Sequence, residues 1–260
     1  MMSKIEALIL GIIQGITEFL PISSTGHLYL GRHLFGLDDA GLFLDTMLHA
    51  GTLIAVLVVY KKEIAEIIKK PFGKLSMLLV IGTVPAVLAG LAFKDFFDAI
   101  SINGRTIGWE FIVTGLVLWM ADGIKAGRKK MEDIRYSDAL VIGIFQSAAM
   151  MPALSRSGLT IAAGLLCKLD RETTAYFSFL LSIPAIAGGL VLQLPQLFSG
   201  HSPHVSLGGL AIATIAASLC GYMAIVWMIQ FLQKRSLKIF ALYVWGLGIL
   251  VIALQWSGRF

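Results

Sequence analysis

Long apolar stretches place the strongest limit on how this chain can fold. They recur along the whole length, at residues 41–60, 75–93, 108–124, 172–195, 207–232 and 238–256. The chain is 57% apolar and 14% charged, whereas ordinary soluble domains are about 45–50% apolar and about 25% charged. A membrane-spanning helix needs roughly 20 mostly apolar residues. Each stretch therefore predicts one span, and the chain is predicted to be an all-α polytopic membrane protein with a single membrane domain, 1–260.

The two halves of the sequence resemble each other. Gly-Ile-Ile-Gln at 11–14 recurs as Gly-Ile-Phe-Gln at 143–146, an offset of 132 positions. Two further identities share this offset: Ser23 with Ser155, and Gly26 with Gly158. Because the offset is about half the chain length, the sequence predicts two repeats, about 1–130 and 131–260.

Each half begins with a segment broken by Pro, Ser and Gly, at 5–35 and at 137–168. Pro and Gly end helices, so each segment predicts two helices too short to cross the membrane, which together form a re-entrant hairpin. Three spans follow in each half, and an odd number turns the second half upside down relative to the first. The predicted fold has six transmembrane helices plus two re-entrant helical hairpins in an inverted-topology repeat.

Positive charge alternates between the loops. Most of the 21 Lys and Arg residues lie in the loops 61–74, 125–135, 168–171 and 234–238. The intervening loops, 94–107 and 196–206, contain only Lys94 and Arg105. Basic residues collect in cytosolic loops, so both termini and the first hairpin are predicted to lie on the outer side. The net charge of +5 is explained by this topology, and no nucleic-acid partner is expected.

Both hairpins carry polar side chains, which are functional candidates inside a membrane. The first contains Gln14, Glu18, Ser23, Ser24, Thr25 and His27, and the second contains Gln146, Ser155, Arg156, Ser157 and Thr160. Gln14 and Glu18 are four residues apart and share one helix face. The helix starts after the breaks offer free N–H groups to an anion, and Arg is suited to hold phosphate by two parallel hydrogen bonds.

These residues favour phosphate chemistry on an amphiphile. Glu18 is suited to hold a divalent cation, Arg156 to stabilise a transferring phosphoryl group, and His27 to activate a Ser or a water. Structural roles are also open: the hydroxyls as helix caps, and Glu18 with Arg156 as a buried ion pair. Asp45 and His49 either line the pocket or are satisfied at a helix interface.

Residues 14–27, Gln-Gly-Ile-Thr-Glu-Phe-Leu-Pro-Ile-Ser-Ser-Thr-Gly-His, resemble the first signature of the undecaprenyl-diphosphate phosphatase family, the bacitracin-resistance proteins of bacterial membranes. The family's second signature, Pro-Gly-x-Ser-Arg-Ser-x-x-Thr, is matched by Pro152, Ser155, Arg156, Ser157 and Thr160. There are two departures: Ala153 replaces the family's Gly, and Gln14 takes the Gln option where many members have Glu.

The resemblance implies hydrolysis of undecaprenyl diphosphate to undecaprenyl phosphate and inorganic phosphate, which recycles the lipid carrier for cell-wall synthesis at the bacterial inner membrane. It also implies a divalent metal ion, Mg²⁺ or Ca²⁺, at Glu18, phosphate contact by Arg156, and a nucleophilic step by Ser24 with His27. The remaining signature side chains would line the diphosphate pocket: Gln14, Ser23, Thr25, Ser155, Ser157 and Thr160. The nucleophile is left open between Ser24, Ser23 and water, and a homodimer is left open too.

A lipid flippase or transporter without hydrolytic activity is the competing hypothesis, because broken helices in inverted repeats are typical of alternating access. A passive structural subunit would leave the intramembrane charges unexplained. Because the first hairpin carries Glu18, Ser24 and His27 and is predicted to enter from outside, the site is expected to open on the periplasmic side.

Overall fold

A computed structural model describes residues 2–37, 41–125, 127–198 and 206–258 of the protein. The helices are α1 (Lys4–Phe19), α2 (Ser24–Phe35), α3 (Gly41–Val59), α4 (Lys61–Lys69), α5 (Lys74–Ala92), α6 (Lys94–Asn103), α7 (Ile107–Asp122), α8 (Tyr136–Ala148), α9 (Arg156–Leu166), α10 (Arg171–Phe198), α11 (Leu207–Lys234) and α12 (Lys238–Trp256). A short 3-10 helix covers Met131–Asp133. In these ranges the only β pairing is one isolated bridge between Lys129 and Leu169. The predicted all-α class is therefore confirmed.

The six apolar stretches of the sequence coincide with α3, α5, α7, α10, α11 and α12. Within the described residues, four helices are long and apolar enough to cross a membrane: Lys74–Ala92, Arg171–Gln193, Leu207–Lys234 and Lys238–Trp256. The apolar part of α3, Leu44–Val59, is shorter, and α7 has 16 residues. The protein is thus a helical membrane protein with at least these four apolar helices.

The outer surface of the helix bundle is apolar. On α5, Val80, Val84, Leu88 and Leu91 are all exposed, and exposed aliphatic side chains also cover α1 and α12. A soluble monomer rarely exposes apolar patches of this extent, whereas lipid tails accept them without cost. The exposed surface therefore agrees with a membrane setting.

Both predicted breaks are present as gaps between helices. The first separates α1 from α2, and the second separates α8 from α9. Each following helix has a serine N-cap: Ser23 Oγ accepts a hydrogen bond from Gly26 N at 3.3 Å, and Ser155 Oγ accepts one from Gly158 N at 3.1 Å. Ser23 has a φ of 68°, a backbone conformation that residues other than Gly rarely adopt.

Close glycine contacts hold each broken segment against a long helix of the other half. α1 packs on α11, and α8 packs on α5. A Cβ added at Gly11 would lie 2.4 Å from Ala213 O, and one added at Gly143 would lie 2.4 Å from Gly82 O. Small residues permit this approach between helix backbones, as is common for helices in membranes.

Hydrogen bonds between the two breaks bring them together. Ser23 Oγ donates to Pro152 O at 3.3 Å, and Ser157 Oγ donates to Leu20 O at 2.9 Å. Each break thus supplies a side-chain donor to the backbone of the other. This cross-connection places the start of α2 beside the start of α9.

On another part of the surface, the α7–α8 connection is tied to the turn before α10. Lys130 Nζ lies 2.5 Å from Asp170 Oδ2, and Asp170 Oδ1 accepts a hydrogen bond from Thr173 N at 2.7 Å. Burial would raise the pKa of Asp170, but the hydrogen bonds from Lys130 and Thr173 outweigh it and hold that pKa below its ordinary value.

Candidate active site

Glu18 is the centre of a buried polar cluster where the breaks meet. It lies in the last turn of α1 and is 7% exposed. Its Oε1 accepts a hydrogen bond from Arg156 Nη2 at 2.5 Å. Its Oε2 accepts hydrogen bonds from Ser24 Oγ at 2.5 Å and from Gln14 Nε2 at 3.1 Å. The structure therefore brings together four of the residues predicted from the sequence.

His49 of α3 borders this cluster. Its Nε2 lies 3.7 Å from Glu18 Oε2, and its Nδ1 lies 2.7 Å from Asp45 O. A carbonyl oxygen only accepts, so Nδ1 donates to it and Nε2 is the ring nitrogen that faces Glu18. The Asp45 carboxylate instead pairs with Arg32 at 2.7 Å. Of the two alternatives left open for His49, the structure favours a place at the site.

His27 does not bond Ser24, because both of its ring nitrogens have other partners. Nδ1 lies 2.7 Å from Ser23 O, and Nε2 lies 2.9 Å from the Tyr243 hydroxyl. The ring also stacks on Tyr243, with ring centroids 5.7 Å apart. Sequence reasoning missed Tyr243, because a single Tyr in an apolar stretch is not distinctive until its neighbour is known.

The hydroxyls of the second signature bond the surrounding protein rather than Glu18. Ser155 Oγ lies 3.2 Å from Ser157 Oγ, and Thr160 Oγ1 lies 2.6 Å from Ser178 Oγ. All four side chains are buried. They stabilise the second break and the start of α9, as the structural alternative for helix caps anticipated.

The remaining predicted residues lie around the cluster. Thr25 is half-buried in the first turn of α2, next to Ser24. Gln146 is buried in α8, and its Nε2 donates to Gly82 O at 3.4 Å. Although Gln146 matches Gln14 in the repeat, its contacts place it at the packing surface of α8 with α5. The two glutamines therefore have different surroundings.

Two buried atoms in the cluster have no hydrogen-bond partner among the described residues: Arg156 Nη1 and Gln14 Oε1. Buried polar atoms are nearly always bonded in a folded protein, so an unpartnered one calls for an explanation. Arg156 Nη1 is a donor suited to a phosphate oxygen. Gln14 Oε1 is a hard oxygen suited to a cation such as Mg²⁺ or Ca²⁺.

The cluster offers only part of a metal coordination sphere. In the described ranges, no group of three or more His, Cys, Asp or Glu residues is arranged to hold a metal ion. Mg²⁺ is commonly bound by one or two protein carboxylates together with phosphate oxygens of a substrate. The Glu18 carboxylate with Gln14 Oε1 fits that mode, in which a phosphorylated ligand completes the coordination.

Comparison with known proteins identifies the family of the chain. The chain matches the bacitracin resistance protein BacA family over residues 7–250. It is 63% identical over 259 residues to "Undecaprenyl-diphosphatase 4" of Bacillus thuringiensis (strain Al Hakam), covering 100% of both chains. It is 46% identical over 261 residues to "Undecaprenyl-diphosphatase" of Carboxydothermus hydrogenoformans, again over 100% of both chains. The family recognised from the two signatures is confirmed, and the chain belongs to the bacitracin resistance protein BacA family.

Proposed function

We propose that this protein is an undecaprenyl-diphosphatase that hydrolyses undecaprenyl diphosphate to undecaprenyl phosphate and inorganic phosphate. The observation that carries the proposal is the convergence of Arg156 and Ser24 on the two oxygens of Glu18 at 2.5 Å each. Both residues begin helices, whose free N–H groups attract anions. The names of the full-length relatives supply the substrate.

In the proposed mechanism, the diphosphate lies between the starts of α2 and α9. Arg156 binds it through the free Nη1. Ser24 Oγ attacks the terminal phosphorus, its proton passes to Glu18 Oε2, and the anhydride bond breaks to release undecaprenyl phosphate. A water then attacks the phosphoserine, Glu18 returns its proton to the departing Ser24 Oγ, and inorganic phosphate is released. Arg156 stabilises the charge on the transferring group in both steps.

The other predicted residues support this reaction. His27 acts on the nucleophilic step by holding the Ser23 carbonyl, and thereby the turn that carries Ser24. Ser23, Ser155, Ser157 and Thr160 shape the diphosphate pocket by fixing the two breaks, and Thr25 adds a hydroxyl in the first turn of α2. Water as the nucleophile is the alternative, with Glu18 accepting its proton.

A divalent cation, Mg²⁺ or Ca²⁺, is part of the proposal. Glu18 would hold it together with Gln14 Oε1, and the diphosphate oxygens would complete its coordination. When bound, the cation supplies positive charge that neutralises the phosphate oxygens.

We further propose six membrane spans and two re-entrant hairpins, arranged as inverted repeats of about 1–130 and 131–260. The helix contacts support this arrangement: the 132-residue offset relates α1 to α8 and α5 to α11, and the pairs α1–α11 and α5–α8 both pack together. The distribution of Lys and Arg supports an inner-membrane protein whose site faces the periplasm. A homodimer stays a prediction.

The test is phosphate release by the detergent-purified protein given a polyprenyl diphosphate, with and without EDTA. We expect release that EDTA and Arg156→Ala each reduce by at least about 10²-fold, as for loss of a transition-state contact. Arg128→Ala, which changes an exposed Arg in the α7–α8 connection, is the matched control and should retain activity. Binding of the lipid without phosphate release, whichever divalent metal ion is added, would support the flippase alternative instead.

A further inference from the structure

Glu110 of α7 is a buried carboxylate outside the Glu18 cluster. Glu110 is 4% exposed. Its Oε2 accepts a hydrogen bond from Ala153 N, whereas its Oε1 is buried with no hydrogen-bond partner among the described residues. A buried carboxylate that is only partly bonded costs free energy. Packing alone therefore gives no reason for a Glu at this position.

Thr114 stands one helical turn after Glu110 and contacts the same loop. Its Oγ1 accepts a hydrogen bond from Ser155 N at 3.2 Å and donates to Ala153 O at 3.5 Å. Together, Glu110 and Thr114 bond three backbone groups of residues 153–155. This loop is therefore fixed to α7 through three of its backbone polar atoms.

The fixed loop leads directly into the helix that carries Arg156. Ser155 is the N-cap of α9, and Arg156 is its first residue. A backbone shift at residues 153–155 would therefore move the Arg156 side chain relative to Glu18. A misplacement of about 1 Å at a catalytic group costs on the order of 10²-fold in rate.

We propose that Glu110, assisted by Thr114, is a positioning residue for Arg156. The hydrogen bond to Ala153 N holds the second break so that the guanidinium meets both Glu18 and a phosphate ligand. Glu110 itself touches neither the substrate nor the reacting atoms. As a statement about catalysis, this inference rests on the proposed diphosphatase function.

The test compares Glu110→Ala with Glu110→Gln, whose amide oxygen can still accept the Ala153 N–H. Each is made in the parent protein and in Arg156→Lys, which keeps a cation but loses the guanidinium. We expect Glu110→Ala to lower kcat/KM about 10-fold in the parent, and less than about 2-fold in Arg156→Lys. Glu110→Gln should stay within about 3-fold of the parent. Interaction between two sites appears as such non-additivity.

Asp122→Ala is the matched control. Asp122 is also a carboxylate on α7 that accepts a backbone hydrogen bond, from Leu237 N at 2.8 Å, but it anchors a connection that lies outside the active-site cluster. Its loss should lower the melting temperature and change kcat/KM by the same factor in both backgrounds. A fall in kcat/KM caused only by reduced folding would follow this pattern.

A second measurement separates this inference from the proposed function. Binding of inorganic diphosphate, measured by calorimetry, needs no turnover, and Glu110→Ala should weaken it about 5-fold in the parent but not in Arg156→Lys. This coupling without any hydrolysis would overturn the diphosphatase function and leave the positioning role standing. Equal effects of Glu110→Ala in the two backgrounds, or a Glu110→Gln variant as defective as Glu110→Ala, would overturn the positioning role alone.

Discussion

Ser24 and Arg156 occupy the same position in two different helices and bond opposite oxygens of one carboxylate. Each is the first residue of its helix, and 132 positions separate them. The two helix starts are therefore equivalent in the repeat but unlike in chemistry, since one supplies a hydroxyl and the other a cation. In the proposed mechanism, a diphosphate between them would meet the Ser24 hydroxyl on one side and the Arg156 guanidinium on the other.

The first prediction concerns Glu18→Gln. An amide keeps the size of the side chain but removes the charge that orients Arg156 and the oxygen that accepts the Ser24 proton. We expect phosphate release to fall at least about 10²-fold while binding of the polyprenyl diphosphate persists. Glu6→Gln, at the exposed capping box of α1, serves as the control. Equal losses in both variants would contradict a catalytic role for Glu18.

The second prediction concerns the backbone of Ser23. Its φ of 68° suits Gly, and its side chain caps α2 through Gly26 N. Ser23→Ala removes the cap and should cost about 0.5–2 kcal/mol, whereas Ser23→Gly should cost only a few tenths. Thermal unfolding in detergent would show a clearly lower melting temperature for the Ala variant. The reverse order would mean that the positive φ has no energetic consequence.

The third prediction concerns the packing of α8 on α5. Gly143→Ala would place a Cβ 2.4 Å from Gly82 O, so the helices must separate, at a cost of about 1–3 kcal/mol. Gly246→Ala of α12 is the control, because its Cβ would have no neighbour within 4 Å. That change should stabilise the protein by about 0.5–1 kcal/mol. Melting temperatures that shift in the same direction would refute the close contact.

The fourth prediction concerns the side from which the site opens. Thr25→Cys, in a protein whose Cys167 and Cys220 are replaced by Ala, should react with an impermeant thiol reagent added to intact cells. Phe72→Cys is the control, since Phe72 is 89% exposed in a loop predicted to be cytosolic, and it should react only after lysis. Labelling of Thr25→Cys only after lysis would invert the proposed topology.

The fifth prediction concerns pH and Asp170. Because the pKa of Asp170 is held below its ordinary value, its carboxylate contributes stability at neutral pH. That contribution is complete above the ordinary Asp pKa of 3.8 and is lost as the pH falls through the lowered pKa. Asp170→Ala should therefore lower the melting temperature at pH 7 and have a smaller effect at pH 3. A pH-independent difference would show that the ionised carboxylate of Asp170 does not contribute to stability.

Much of the helical fold could be predicted from the sequence, because the signal for a membrane helix is a run of apolar residues within one segment of the chain. The apolar runs predicted the long helices, and Pro21, Pro152 and the following serines predicted the breaks between the short ones. Glu18, Ser24 and Arg156 were identifiable because charges and clustered hydroxyls are rare in apolar segments. Those signals need no knowledge of which helices are neighbours.

The remaining site residues depend on tertiary contacts that no local pattern encodes. His49 reaches Glu18 from α3, and Tyr243 reaches His27 from α12, across 216 positions of chain. Glu110 resembles an ordinary polar residue near a helix end until Ala153 is found beside it. For the same reason, residue spacing could not show that His49 borders Glu18 Oε2 while His27 bonds Ser23 and Tyr243.

The glycine contacts between α1 and α11, and between α8 and α5, mean that neither half of the chain closes its own bundle. Each half leaves helix surfaces that are covered by helices of the other half. A fragment ending near residue 130 would keep α1 and α5 but lose α11 and α8, the helices with which they make their most extensive contacts. Either half alone would therefore expose the helix surfaces that the other half covers in the full chain.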